Sequence, residues 1–219
     1  MNDQTHLIQG IAAPLPLANL DTDQIMPKQF LRGIDKSGLD QGVLYDLRFD
    51  AEGRPRPGFV LNQPAHAQTS ILVAGANFGC GSSREHAVWG LLQFGISAII
   101  APSFGEIFYS NAMNNGLMLV ALPEADVEAL LAELAASTEP VRLEIDVDAL
   151  TACSPTVSSR FQLGARHREM FLNGVDMLGA SLRYKDRIEA FAAQWHASHP
   201  WLKNVAASAP AIKNRPHCS

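Results

Sequence analysis

Cysteine is scarce in this sequence: Cys80, Cys153 and Cys218 are an odd number, widely spaced. That excludes a disulfide framework and any C-x-x-C metal motif. Long apolar runs are missing as well. The longest, Ile96 to Pro102 and Leu117 to Leu122, fall far short of the roughly 20 residues that a membrane-spanning helix needs. Charge of one sign is never concentrated. The 17 basic and 22 acidic residues give a net charge of -5, and no arm or helix gathers enough Lys or Arg to neutralise a run of phosphates. Nucleic-acid modules are thereby excluded. Met1 to Gln4 has neither the basic flank nor the apolar stretch of a signal peptide, so the expected location is cytoplasmic.

What is present suits an ordinary globular enzyme or binding domain. With 219 residues, 47% of them hydrophobic, the chain buries roughly 70% of its unfolded surface and needs no staples. Residues 1 to 20 alternate apolar and polar positions up to Pro14 and Pro16, an early strand followed by a turn. From Gly33 to Pro64 the chain is rich in Gly, Pro, Asp and Arg, which predicts a long surface excursion. Beyond Ser70 the period changes regularly. Strands are expected at 70–74, 96–101, 117–122 and 141–147, and one around Phe161. Helices are expected at 82–94, 104–114, 124–136, 165–173 and 182–195. This alternation predicts an α/β fold with parallel pairing and crossover helices. The loop-rich first third is expected to supply antiparallel strands, making the sheet mixed. Residues 1–197 read as one domain, and 198–219, rich in Ala, Ser, Pro and Asn, as a flexible C-terminal tail.

The strongest chemical feature is Gly79-Cys80-Gly81-Ser82-Ser83-Arg84-Glu85-His86, which leaves a buried strand, turns through two glycines and opens a helix. A helix start offers unpaired N–H groups and about half a positive charge, a prepared anion site. Arg84 is the residue type that grips a carboxylate through two parallel N–H bonds. Ser82-x-x-Glu85 is also a capping box that needs no ligand, although a cap leaves the glycines, Ser83 and Arg84 unexplained. The loop lacks the lysine of a phosphate-binding Walker loop, the third glycine of a dinucleotide fingerprint and the frame of a G-x-S-x-G elbow. Cys80 reads as a small structural thiol before a nucleophile. The seven histidines suggest no metal site: His196 and His199 fall near the end of the last helix, and His86 serves either near the site or in helix packing. Asp21 and Asp23 form a D-x-D at a turn, which is usually turn chemistry.

Asn77 to Ala87 resembles the signature of the aconitase superfamily's swivel domain, and more narrowly that of isopropylmalate dehydratase small subunits. Further blocks follow in the family's order: Asp21 to Ile25 with Pro27 to Leu31, Phe59 to Pro64, Ile100 to Phe104, Asn115 to Leu117 and Leu172 to Asp176. The likeness spans about residues 5 to 195. It implies a swivel-type fold with a mixed, barrel-like sheet and covering helices. It implies a hydro-lyase that isomerises a hydroxy-dicarboxylate in leucine biosynthesis by removing water and returning it with the hydroxyl moved. A [4Fe-4S] cluster held by a partner large subunit, in a heterodimer or heterotetramer, acts as Lewis acid, and this chain binds no metal of its own. Carried over by position, Ser82 is the base, Ser83 and Arg84 bind substrate carboxylate, and Asp23 supports the site by pairing. Arg32 is the nearest candidate for a second substrate arginine.

Two stretches depart from the pattern: Ser110 to Leu119, where a lysine and a cysteine are expected, and His86 to Gly90. Neither touches Ser82, Ser83 or Arg84. They keep open a paralogous hydro-lyase acting on citraconate, 2,3-dimethylmalate or homoaconitate, a choice implied to rest partly on residues 33–58. A non-catalytic anion-binding domain is the alternative from another class.

Overall fold

Runs of consecutive β-branched and aliphatic residues set the centre of this molecule. The computed structural model describes residues 7–31, 37–81, 85–174 and 177–203. Contacts divide the chain into two units, 1–176 and 177–219.

The first unit is built on a seven-stranded mixed sheet that curls on itself, in the order β4-β3-β2-β1-β5-β6-β7. The strands are β1 (Leu7–Leu15), β2 (Thr69–Ala74), β3 (Ala98–Ala101), β4 (Met118–Ala121), β5 (Arg142–Asp146), β6 (Thr151–Cys153) and β7 (Ser158–Arg160). From β1 to β4 all pairs are parallel, with Leu72 opposite Ala13 on one side and Ile99 on the other. Ile71, Leu72, Val73 and Ala74 are all buried, as are Ala98 to Ala101, because parallel strands have both faces covered. The crossovers are α3 (Glu85–Phe94), α4 (Glu106–Asn114) and α5 (Glu124–Ala136). α3 packs on α4, and α5 packs on β1, β2 and β3.

Beyond β1 the sheet changes character. β5, β6 and β7 pair antiparallel, and β5 alternates: Leu143 and Ile145 are buried while Arg142 and Glu144 face solvent. The antiparallel strands thus come from the C-terminal part of the unit, not from the first third as the composition suggested. β1 itself joins the two halves, parallel to β2 and antiparallel to β5. After β7 comes α6 (Ala165–Asn173), capped by Gly174 at φ 59°. Phe161 lies just past β7 and is buried.

The 33–64 excursion, where described, is pinned to the core. Leu39, Val43 and Leu44 are buried, and Leu44 N–H donates to Ile25 O at 2.9 Å. The short helices α1 (Thr22–Ile25) and α2 (Tyr45–Arg48) flank that bond. The Arg48 guanidinium lies over the rings of Phe49 and Phe94 and donates to Val43 O. Burial lowers its pKa, which Asp40 partly opposes.

The second unit contains α7 (Met177–Leu182), α8 (Lys185–Ser198) and a 3-10 turn at Pro200–Leu202. The expected helix from 182 to 195 is therefore broken near Arg183 and Tyr184 and extends to Ser198. Within it Phe191 stacks on Trp195 and Trp195 on His199.

Candidate functional site

Open parallel sheets place ligands beyond the carboxyl ends of their strands, where loops from neighbouring strands meet. In this chain the segments after β1, β2 and β3 meet in that way. The turn after β2 passes between the other two. Gly79 N–H donates to Leu20 O at 2.8 Å and Thr22 N–H to Cys80 O at 3.0 Å, on the β1 side. Phe78 N–H donates to Ser103 O and Gly105 N–H to Phe78 O at 2.9 Å, on the β3 side. Asp21–Cys80 and Phe78–Phe104 are thereby bridged as if the parallel strands continued past their ends.

Side chains lock the same turn. Asn77 Nδ2 donates to Asn19 Oδ1 at 2.9 Å, and Asn77 N–H to Ser103 Oγ at 2.9 Å. The Cys80 thiol donates to Asn19 O at 3.3 Å, a structural role. Gly79 has φ 73°, and a Cβ there would stand 2.3 Å from Phe108 Cγ; a Cβ on Gly105 would stand 2.4 Å from Gly79 O. Both positions require glycine because chains approach too closely for a side chain. Gly81, at φ 90°, then turns the chain toward α3.

Asp21 caps α1 in a complete capping box: Gln24 N–H donates to Asp21 Oδ1 at 2.7 Å, and Asp21 N–H to Gln24 Oε1 at 3.1 Å. Turn chemistry is what Asp21 does. Asp23 lies in the first turn of α1, half-exposed, with Lys28 Nζ 3.5 Å from its Oδ2. Ser82, Ser83, Arg84 and Arg32 lie outside the described residues.

On the far side of Ser82–Arg84 the chain is described again from Glu85. The carboxylate that a capping box would turn back on its own helix accepts from Asn115 Nδ2 at 2.7 Å. Asn115 also donates to Asn111 O at 2.8 Å and accepts from Trp89 Nε1 at 3.0 Å. His86 packs on the Trp89 ring, centroids 4.9 Å apart. Asn115 lines a cleft of about 460 Å³ with Met113, Asn114, Gly116, Met170 and Phe171. Sequence reasoning gave Asn115, Asn77 and Asn19 no role. For Asn77 the available signal was an asparagine two residues before a turn glycine.

Among the described residues no three His, Cys, Asp or Glu side chains converge to hold a metal ion. Cys80 follows β2 and Cys153 ends β6, on opposite sides of β1 in the sheet order. No helix among the described residues is long and apolar enough to cross a membrane.

The aconitase C-terminal domain family matches residues 3–125. The 3-isopropylmalate dehydratase small subunit 1 of Chromobacterium violaceum is 62% identical over 208 residues, 95% of this chain and 96% of that protein. The 3-isopropylmalate dehydratase small subunit of Phenylobacterium zucineum is 44% identical over 194 residues, covering 89% of this chain and 95% of that one. Among solved structures, the 3-isopropylmalate dehydratase of Methanocaldococcus jannaschii superposes with a TM-score of 0.59 at 28% identity, covering 85% of this chain and 99% of the other.

Proposed function

The chain belongs to the aconitase C-terminal domain family, and within it to the 3-isopropylmalate dehydratase small subunits, and from that premise we propose that it completes the active site of a two-subunit hydro-lyase. The reaction interconverts 2-isopropylmalate and 3-isopropylmalate through isopropylmaleate, in leucine biosynthesis. The observation that carries this reading is the crest of joined loops from β1, β2 and β3, from which Ser82-Ser83-Arg84 departs.

In this proposal Arg84 and Ser83 hold a substrate carboxylate, the arginine through its two-pronged fork. Ser82 removes the proton from the carbon beside that carboxylate and later returns it. An ordinary serine is too weak an acid for this, so its alkoxide needs support from the positive end of α3, from loop N–H groups and from Arg84. Asp23 supports the site from α1, with Lys28 as its observed ion-pair partner. Arg32 is the candidate for the second carboxylate. A [4Fe-4S] cluster on the large subunit would supply the Lewis acid for the departing hydroxyl. A cytoplasmic enzyme, with residues 1–197 as one domain and 198–219 as a tail, completes the proposal.

The test is anaerobic co-expression with the large subunit, followed by assay of isopropylmaleate and citraconate hydration side by side. Turnover of isopropylmaleate, abolished by Ser82→Ala, is the expected result. Preference for citraconate would move the protein to a paralogous reaction, and no turnover of either would overturn the catalytic reading. Arg84→Lys keeps the charge but loses the fork, and is expected to raise KM strongly. An unchanged KM would remove Arg84 from direct carboxylate contact.

A further inference from the structure

Asn115 stands between two elements that the sequence leaves unrelated, and all three polar positions of its amide are accounted for. One N–H donates to Glu85 Oε1, the other to Asn111 O, and Oδ1 accepts the Trp89 indole N–H. Its backbone N–H is also fixed, by the carbonyls of Asn111 and Ala112 at the end of α4. A side chain that satisfied has one orientation. Glu85 and Trp89 are four residues apart on α3, so they lie on one face in successive turns. The amide therefore grips α3 at two points from the end of α4.

The position of that grip matters. Ser82-Ser83-Arg84 is bounded on one side by the Gly79–Gly81 turn, tied by main-chain bonds to the β1 and β3 loops. On the other side it is bounded by Glu85, whose carboxylate is held by Asn115. We infer that Asn115 is a positioning residue for the reaction: it fixes the start of α3, the helix that Ser82-Ser83-Arg84 precedes in the sequence. This inference rests on the reading of Ser82 and Arg84 given above. The two stretches that depart from the family pattern, around His86–Gly90 and Ser110–Leu119, are the ones that meet through Trp89 and Asn115.

The experiment reverses the polarity of one hydrogen bond in the two-subunit complex. Asn115→Asp keeps the size and the acceptor for Trp89 but loses both N–H donors, setting a carboxylate oxygen against Glu85 and against the Asn111 carbonyl. The double variant Asn115→Asp, Glu85→Gln restores the bond to α3, with the glutamine amide now donating, while the bond to Asn111 is lost in both variants alike. Isopropylmaleate hydration is expected to fall about tenfold or more in the single variant, because small displacements of catalytic groups are costly. The double variant should be at least about threefold faster than the single one, as expected for directly coupled residues, since the loss at Asn111 is common to both. Turnover of the single variant within twofold of the parent, or a double variant no better than the single, would overturn the proposal.

Hydrogen exchange on the same chains reads the grip without relying on activity. Protection of the Trp89 to Leu92 amides should drop in Asn115→Asp and recover in the double variant. Ser82→Ala, assayed in parallel, separates the two ideas. Retained turnover there removes Ser82 as base while the Asn115 pair is still read on its own. If the parent complex turns over nothing, the functional reading falls and exchange alone decides: unchanged protection in the single variant overturns the grip.

Discussion

The two halves of the sheet use the same backbone geometry to different ends. On the parallel side, β2 to β4 are almost wholly buried, their side chains are apolar apart from Thr69 and Ser70 at the start of β2, and other polar residues fall in the loops at the strand ends. Those loops then satisfy one another, as Asn19, Asn77 and Ser103 do. On the antiparallel side, β5 to β7 are joined by short connections and keep one solvated face, so polar groups are spread along the strands. The lesson is that chemistry concentrates where burial denies polar groups any other place.

The largest break in this contrast should come from Ser82→Ala in the assembled enzyme. Turnover is expected to fall by about 10²–10⁴-fold, the range for losing a general base, while thermal unfolding and subunit assembly stay unchanged. Next comes alanine scanning of adjacent residues. In β2, Ile71→Ala and Leu72→Ala should each cost about 2–5 kcal/mol in denaturant unfolding, because both side chains are fully buried. In β5, Leu143→Ala should cost a similar amount but Glu144→Ala should stay within about 0.5 kcal/mol. Equal losses at Leu143 and Glu144 would erase the distinction between the halves.

A smaller effect is expected at the crest. Gly79→Ala forces a side chain into φ 73° and against Phe108, costing about 1–3 kcal/mol of stability. Turnover should fall with it, measurable on the same preparation. The smallest effect concerns pH. Burial lowers the pKa of His66, and burial followed by the Arg166 charge lowers that of His167. The unfolded chain therefore takes up the protons first, and stability is lost as pH falls through 6.5, the ordinary histidine value, toward the depressed folded values. Unfolding temperatures between pH 7 and 5 should decline, and His66→Gln should flatten the curve.

Much of the parallel half was legible because its signals are local. The α5 and α6 helices begin and end where periodicity and flanking Pro or Gly put them. Strands β2 to β5 were found to within two residues at each end, as continuous apolar runs or clean alternation. The three-residue strands β6 and β7 are too short to carry a period. Leu39, Val43 and Leu44 were hidden inside a stretch whose composition spoke for a surface loop. The Gly-Cys-Gly turn was visible as a site, but its tie to Asp21 was not, since the bridging bonds are main-chain and leave no mark on residue type. Asn115 was masked by its ordinary use, an asparagine before the turn glycine Gly116.

The placement of β1 has a consequence for how the chain is made. Of the seven strands described, the first to be synthesised is the middle one of the finished sheet, and it has two partners to wait for, β2 on one edge and β5 on the other. At about 5–20 residues per second, β5 follows β1 by on the order of 10 s. During that interval a nine-residue strand has an unclosed edge, open to neighbouring nascent chains. Variants that weaken the β1–β5 seam should lower the yield of newly synthesised protein before they lower the activity of the molecules that complete it.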